Sequence, residues 1–127
     1  MDRDDRQRGD DGSSSLAVIL TAPVLVMLMF AGFQAAMWNH TRAEARLVAH
    51  ETAVLVARDG VPAEQAATAA TATMQAQSLL DGARADVTVA AGQVVVTISG
   101  HAPGVLRFTS VPVRVRLAVP VEGWVPL

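Results

Sequence analysis

The longest pattern along the chain is an uninterrupted apolar stretch near its start. Between Gly12 and Thr41, thirty consecutive residues include no Asp, Glu, Lys or Arg, and residues 16–37 are almost entirely apolar. A helix over residues 16–37 would span about 33 Å, which matches a hydrocarbon core of about 30 Å. Trp38 follows at a position typical of a membrane interface. The pattern predicts a transmembrane helix at residues 13–38.

A cleaved secretory signal is the main alternative interpretation of this segment. Such a signal needs small residues three and one positions before the cut. A cut after Ala35 places Phe33 at the outer position, and a cut after Ala36 places Gln34 there. The pattern therefore favours a retained span. Three arginines precede it and three follow within about 20 residues, so the positive-inside rule does not orient it.

The helix is predicted to continue past the membrane as a stalk at residues 39–60. This stretch is rich in Ala, Arg and Glu, and Gly60 provides a stop. An apolar stripe on the stalk is predicted to rest on the following domain; it consists of Leu47, Val48, Val54 and Leu55. Pro62 suits the first turn of a second helix, which we expect to run to about Leu80.

From residue 85 onward the apolar period changes from that of a helix to two. One set of alternating apolar residues is Val87 and Val89, a second is Val94, Val96 and Ile98, and a third is Val111, Val113, Val115, Leu117 and Val119. Each set marks one face of a strand, and Ala91 with Gly92 fits a hairpin turn. Pro112 and Pro120 indicate an edge strand or strand ends.

These elements predict an α+β fold, with a small antiparallel sheet of about three strands and a helix packed on its apolar face. The predicted organisation is a charged leader or cytoplasmic tail at residues 1–12, the span at 13–38, the stalk at 39–60, and a small external domain at 61–127. The domain must be stabilised by packing, because the chain has no cysteine.

Charge argues against one class of partner. Residues 1–11 hold five aspartates and three arginines, and the residues after 41 balance at seven acids and seven arginines. A near-neutral domain without lysine and with few aromatic residues lacks the basic surface of a nucleic-acid binder. We predict no nucleic-acid partner.

Catalytic and metal-binding interpretations find little support. His50 and Glu51 begin like the zinc motif H-E-x-x-H, but Val54 stands where the second histidine belongs. His40 and Glu44 lie one helical turn apart, which allows an ion pair or a weak metal site but is typical of a solvated helix face. We predict no catalytic residue, no cofactor, no metal site and no small-molecule substrate, and hence that the chain is not an enzyme.

Three further polar residues lie in the predicted sheet region. His101 falls in the segment from Gly100 to Gly104, which is predicted to be an exposed turn. Arg114 and Arg116 alternate with the apolar residues of the third strand, so they share one face. That face is either solvated or binds a partner.

The N-terminal half resembles a known family. Gly12, Ser13, Val18, Pro23 and Gly32 form a charged-tail, glycine and apolar-helix arrangement similar to that of TadE/TadG-like proteins, which are pseudopilin-related components of tight-adherence (Flp) pilus assembly systems. The run Arg-Ala-Glu-Ala-Arg at residues 42–46 also resembles the family's helix after the span. The resemblance implies a cytoplasmic tail, an external domain, a location in the cell membrane, and processing by a prepilin-type peptidase between Gly12 and Ser13.

One position departs from the family pattern. Ala17 stands five residues after the implied cleavage point, where family members and pilins commonly place a glutamate. In a filament that carboxylate would offset a buried N-terminal ammonium, and an unpaired charge in lipid costs on the order of 3 kcal/mol or more. The departure predicts a minor or accessory component in place of a repeating pilus subunit.

Two functions of different class remain open at the sequence level. The first is a component of a pilus-like or secretion apparatus that acts by helix association in the bilayer and by docking of the external domain to other assembly or membrane proteins. Gly32 and Ala36 form a small-xxx-small pair that would serve such an association, although pairs of this kind often arise by chance in alanine-rich spans. The second is a membrane-tethered binding module outside any pilus system.

Overall fold

The computed structural model describes residues 5–106 and 108–121, with side chains from residue 12 onward. Residues 1–4 and 122–127, at the outer ends of the predicted tail and domain, lie outside the described part. The elements are helix α1 at Asp5–Asp59, helix α2 at Ala63–Gln77, and strands β1 at Asp81–Ala90, β2 at Gln93–Ala102 and β3 at Val111–Pro120. The α+β class is confirmed.

The contacts of the chain divide it into two compact units, one ending at Gln34 and the other beginning at Ala35. The first unit contains the apolar part of α1. The second contains the rest of α1, α2 and the sheet. Gly60 ends α1 as predicted, since its φ of 66° is the left-handed conformation that commonly follows a helix.

The sheet in the second unit has the strand order β1-β2-β3, and both pairs are antiparallel. The β1–β2 turn is formed by Ala91 and Gly92, as predicted, and both have positive φ angles, 51° and 73°. Two consecutive positive φ values define the turn whose twist matches a hairpin. Near the start of β1 the register shifts between Asp81 and Arg84, where Gly82 has a φ of 61°.

One face of the sheet forms the core together with both helices. The inward side chains of the strands are buried as the period of two predicts; they include Val87, Val94, Val96, Ile98, Val113 and Val115. Helix α2 contributes Ala66, Ala70 and Met74 to the same cluster. Burial of this continuous apolar face is the main stabilising term of the domain.

Helix α1 packs on this core mainly through small residues, and the predicted stripe is only partly right. Val48 packs against the core, whereas Leu47 and Leu55 are 59% and 47% exposed. Buried positions recur every four residues from 41 to 57, at Thr41, Ala45, Ala49, Ala53 and Ala57, and Thr52 and Val56 are also buried. The four alanines belong to the same buried apolar cluster as the inward side chains of the strands, where a larger side chain would have to displace its neighbours.

Two details of α2 also differ from the prediction. Pro62 is the N-cap residue, with φ −58° and ψ 138°, and lies just before the first turn. The helix ends at Gln77, three residues short of Leu80, because Ser78 is extended and its Oγ accepts a hydrogen bond from the Leu80 amide at 3.1 Å. This extended segment places the Leu80 side chain in the core.

Candidate interaction surfaces

The apolar part of α1 is exposed throughout. Between Leu16 and Phe33, twelve large apolar side chains are 49–75% exposed. One helix of the described chain is thus long and apolar enough to cross a membrane. Moving these side chains from water into hydrocarbon contributes on the order of 10 to 20 kcal/mol, which is as large as the folding free energy of a typical domain.

Pro23 lies inside this segment and removes one helical hydrogen bond. The carbonyl left without its usual donor is that of Ile19, four residues earlier. Thr21, two residues before the proline, donates its hydroxyl to the Ala17 carbonyl at 2.6 Å and not to that of Ile19.

The predicted processing and association residues all lie on α1. Gly12 and Ser13 are exposed within the helix. Gly32 has no atom within 4 Å of where a Cβ would stand, and Ala36 is exposed. Each position is accessible to another molecule, and both assignments stay predictions.

A small polar cluster follows on α1, where the second unit begins. His40 Nε2 lies 3.2 Å from Glu44 Oε1, so the predicted pair forms. The guanidinium of Arg42 stacks over the Trp38 ring at 5.0 Å, and the Trp38 indole N–H donates a long 3.5 Å hydrogen bond to the Pro112 carbonyl. Trp38 therefore joins α1 to the start of β3.

The other residues considered for chemistry are exposed and apart. His50 and Glu51 are exposed on α1, where they line part of a groove between α1 and β3. His101 lies in β2, paired with Asp81 and Pro112, so its placement in a turn was wrong although it is exposed. Among the residues with described side chains, no three His, Cys, Asp or Glu gather as a metal site requires.

The outer face of the sheet carries unpaired positive charge. Arg114 and Arg116 are exposed and stand opposite Ser99 and Thr97 of β2. Within the described part of the chain neither guanidinium has an acidic partner. The face therefore offers two arginines beside the β3 edge.

The two edges of the sheet differ. Along β1, the Thr71 hydroxyl accepts a hydrogen bond from the Ala85 amide at 3.0 Å, and the Gln75 side chain donates to the Ala83 carbonyl at 3.2 Å. Helix α2 thus covers the β1 edge with side chains. Along β3, helix α1 reaches the edge at Pro112, whose carbonyl accepts the long hydrogen bond from the Trp38 indole, and no described side chain bonds the outward backbone groups between the two prolines.

The register shows which β3 groups are unpaired. The Val121 amide donates to the Gly92 carbonyl at 2.9 Å. The backbone N–H and C=O groups of odd-numbered β3 residues therefore point toward β2, and those of even-numbered residues point away from β2, at the edge of the sheet. Pro112 and Pro120 are even-numbered residues of this edge, so the N–H group that each proline lacks would not have bonded to β2. Between the prolines, the residues with outward N–H and C=O groups are Arg114, Arg116 and Ala118.

A groove of about 680 Å³ lies between α1 and the far end of β3. Its lining is mostly apolar side chains and includes Val54, Leu55, Ala57, Val119 and Pro120. Helix α1 therefore runs beside β3 from Trp38 at Pro112 to Val54 at Val119. Sequence periodicity did not indicate this groove, because it depends on how closely the alanine face of α1 approaches the sheet.

Comparison with known proteins finds no matching family model, no matching curated protein and no matching solved structure.

Proposed function

We propose that the chain is a single-span membrane component of a pilus-like or secretion apparatus, similar to a TadE-like minor pseudopilin or assembly accessory protein. It acts by helix association within the bilayer and by docking of its external domain. Its N-terminus is cytoplasmic and its C-terminal domain lies outside the cell membrane. Its partners are lipid and other proteins of the assembly.

The observation that carries the proposal is that one helix contains both surfaces. The early part of α1 is apolar and exposed, while its later part supplies the alanines that pack on the sheet. The membrane segment and the core of the domain are thus continuous in one element, Asp5–Asp59.

The resemblance of about residues 8–58 to TadE/TadG-like proteins supports the choice of apparatus. Ala17 supports a minor or accessory position, because no carboxylate is available there to pair with a buried N-terminal ammonium. A filament made of this chain alone would contradict that position.

The test is an in-frame deletion of the gene in the organism that encodes it, complemented with the full chain. We expect surface filaments or apparatus-dependent secretion to fall on deletion and to return on complementation. If both persist in the deletion strain while the chain is membrane-bound, the account fails in favour of a tethered binding module.

A matched pair of variants tests the helix-association part. Gly32→Leu fills the position where no neighbouring atom lies within 4 Å, whereas Met29→Leu keeps an already large side chain nearby. We expect Gly32→Leu to reduce complementation and cross-linking to membrane partners and Met29→Leu to leave both unchanged. Equal behaviour of the two variants contradicts the association face.

Mass spectrometry of the extracted chain tests the predicted processing site, because it reports whether the chain begins at Met1 or Ser13.

A further inference from the structure

The β3 edge presents backbone N–H and C=O groups that have no partner among the described residues. An edge strand presents a row of unpaired N–H and C=O groups, and proteins normally cover, shorten or charge such edges. Here α2 covers the β1 edge and Trp38 of α1 reaches the β3 edge at Pro112, but within the described residues the outward amides of Arg114, Arg116 and Ala118 have no partner. The same strand is flanked by the groove against α1.

We propose that the β3 edge binds an extended segment of another protein as a fourth strand of the sheet. Strand addition satisfies the outward groups of the edge, and alternate side chains of the added strand then give specificity. The claim that the external domain docks a protein rests on the proposed function; the surface and the chemistry of the partner follow from the edge itself.

The inward side chains of the added strand would be apolar. They extend the face formed by Val113, Val115, Leu117 and Val119, of which the last two are only half-buried in the domain alone. Beyond Val119 they meet the groove on α1, where Val54 is half-buried and Leu55 is exposed. The added strand would therefore complete the cover over α1.

The outward side chains of the added strand would be acidic. Residues directly opposite on neighbouring strands have Cβ atoms about 5 Å apart, and opposite charges there are favourable. Arg114 and Arg116 lie on that face, and their β2 neighbours, Ser99 and Thr97, are uncharged. The partner segment is thus one in which apolar residues alternate with Asp or Glu.

A second copy of the chain fits this edge poorly. If two β3 strands pair antiparallel about their middles, Arg114 meets Arg114 or Arg116, or Arg116 meets its own counterpart. Like charges directly opposite each other are destabilising. The arginines therefore favour a different, acidic strand over self-association.

The experiment uses the full chain in lipid nanodiscs and three labelled nine-residue peptides. One alternates valine and glutamate, one alternates valine and lysine, and one has the glutamate peptide's composition in scrambled order. We expect the alternating glutamate peptide to bind most tightly and to slow amide exchange at Arg114, Arg116 and Ala118. Equal binding of all three peptides, or unchanged exchange at these amides, overturns the proposal.

Substitutions at one residue separate backbone pairing from charge. Arg116→Pro removes an outward N–H that makes no ladder bond within the described sheet, and an unchanged urea midpoint is the control that the strand still forms. We expect Arg116→Pro to weaken binding of the alternating glutamate peptide by about tenfold or more, and Arg116→Ala to weaken it by up to about fivefold. Arg116→Glu should shift preference toward the lysine peptide. If Arg116→Pro binds like the unaltered chain, strand addition is wrong.

Three further outcomes are decisive. If the three amides are already protected without peptide and sedimentation shows a dimer, the occupant is a second copy and the assignment of an acidic partner is overturned. If deletion of the gene abolishes filaments or secretion while Arg116→Pro complements fully, the proposed function stands and the edge assignment fails. Loss of peptide binding together with loss of complementation in Arg116→Pro supports both.

Discussion

The packing of α1 on the domain through alanine gives a sharp prediction for Ala49. This residue is fully buried, and Ala45 and Ala53 lie one turn before and after it with no exposure. Ala49→Leu adds an isopropyl group at a fully buried position of the core cluster. Overpacking of this kind costs about 1–3 kcal/mol, a large part of the stability of a small domain.

The expected shift in melting temperature follows from the size of the domain. For a domain of 60–100 residues, 1 kcal/mol corresponds to about 4–8 °C, so a loss of about 2 kcal/mol lowers Tm by about 8–16 °C. The matched control is Ala43→Leu, the same substitution at an exposed position on the same helix. We expect that control to change stability by less than about 0.5 kcal/mol.

The assay is pulse proteolysis of the full chain in detergent across a urea series, with cleavage of the sheet as readout. Helix content alone is a poor readout, because the apolar part of α1 stays helical in detergent. If Ala49→Leu and Ala43→Leu have the same urea midpoint, α1 does not pack on the sheet through its alanine face.

Three further substitutions test separate parts of the sheet. Ala91→Asn should raise stability by about 0.5 kcal/mol, because asparagine tolerates the positive φ of 51° better than alanine; an unchanged or lower urea midpoint would count against the turn geometry. Gly100→Ala should cost about 1–3 kcal/mol, because its Cβ would lie 2.6 Å from Leu80 Cγ and Cδ2. The strain should shrink in a Leu80→Ala background, and strictly additive losses in the double variant would exclude that contact. Thr71→Val removes the acceptor of the Ala85 amide and should cost about 1 kcal/mol with faster exchange at that amide; unaltered exchange at Ala85 means that α2 does not cover the edge.

Much of the fold was predictable from local patterns. Strand faces follow from the period of two, and the β1–β2 turn follows from Ala91 and Gly92 between two alternating runs. Gly60 ended α1 because its left-handed backbone conformation cannot continue the helix. These features depend on a few neighbouring residues, so one sequence suffices to find them.

The packing face of α1 was missed because hydrophobic periodicity gives most weight to large side chains. The pattern pointed to Leu47 and Leu55, whereas the buried face consists of small residues four positions apart. The recurrence of threonine and alanine at positions 41, 45, 49, 53 and 57 was visible in the sequence. It has a physical meaning only when a close approach of helix and sheet is considered.

The candidate interaction surface was partly readable. Pro112 and Pro120 indicated an edge strand, and alternation placed Arg114 and Arg116 on one face. Which edge stays open depends on Thr71 and Gln75 reaching across to β1, a contact between elements that no local pattern shows. The groove beside Val119 arises in the same way from tertiary packing.

The central claim is that the apolar segment before Trp38 is a retained transmembrane helix that anchors the following domain to the bilayer. Cell fractionation with an alkaline wash, followed by intact-mass measurement of the extracted chain, tests it most directly. The account predicts a chain that sediments with membranes, resists the wash, is released by detergent and retains residues 13–38. Recovery of the full-length chain in the soluble fraction, or of a chain that has lost about its first three dozen residues, would contradict it.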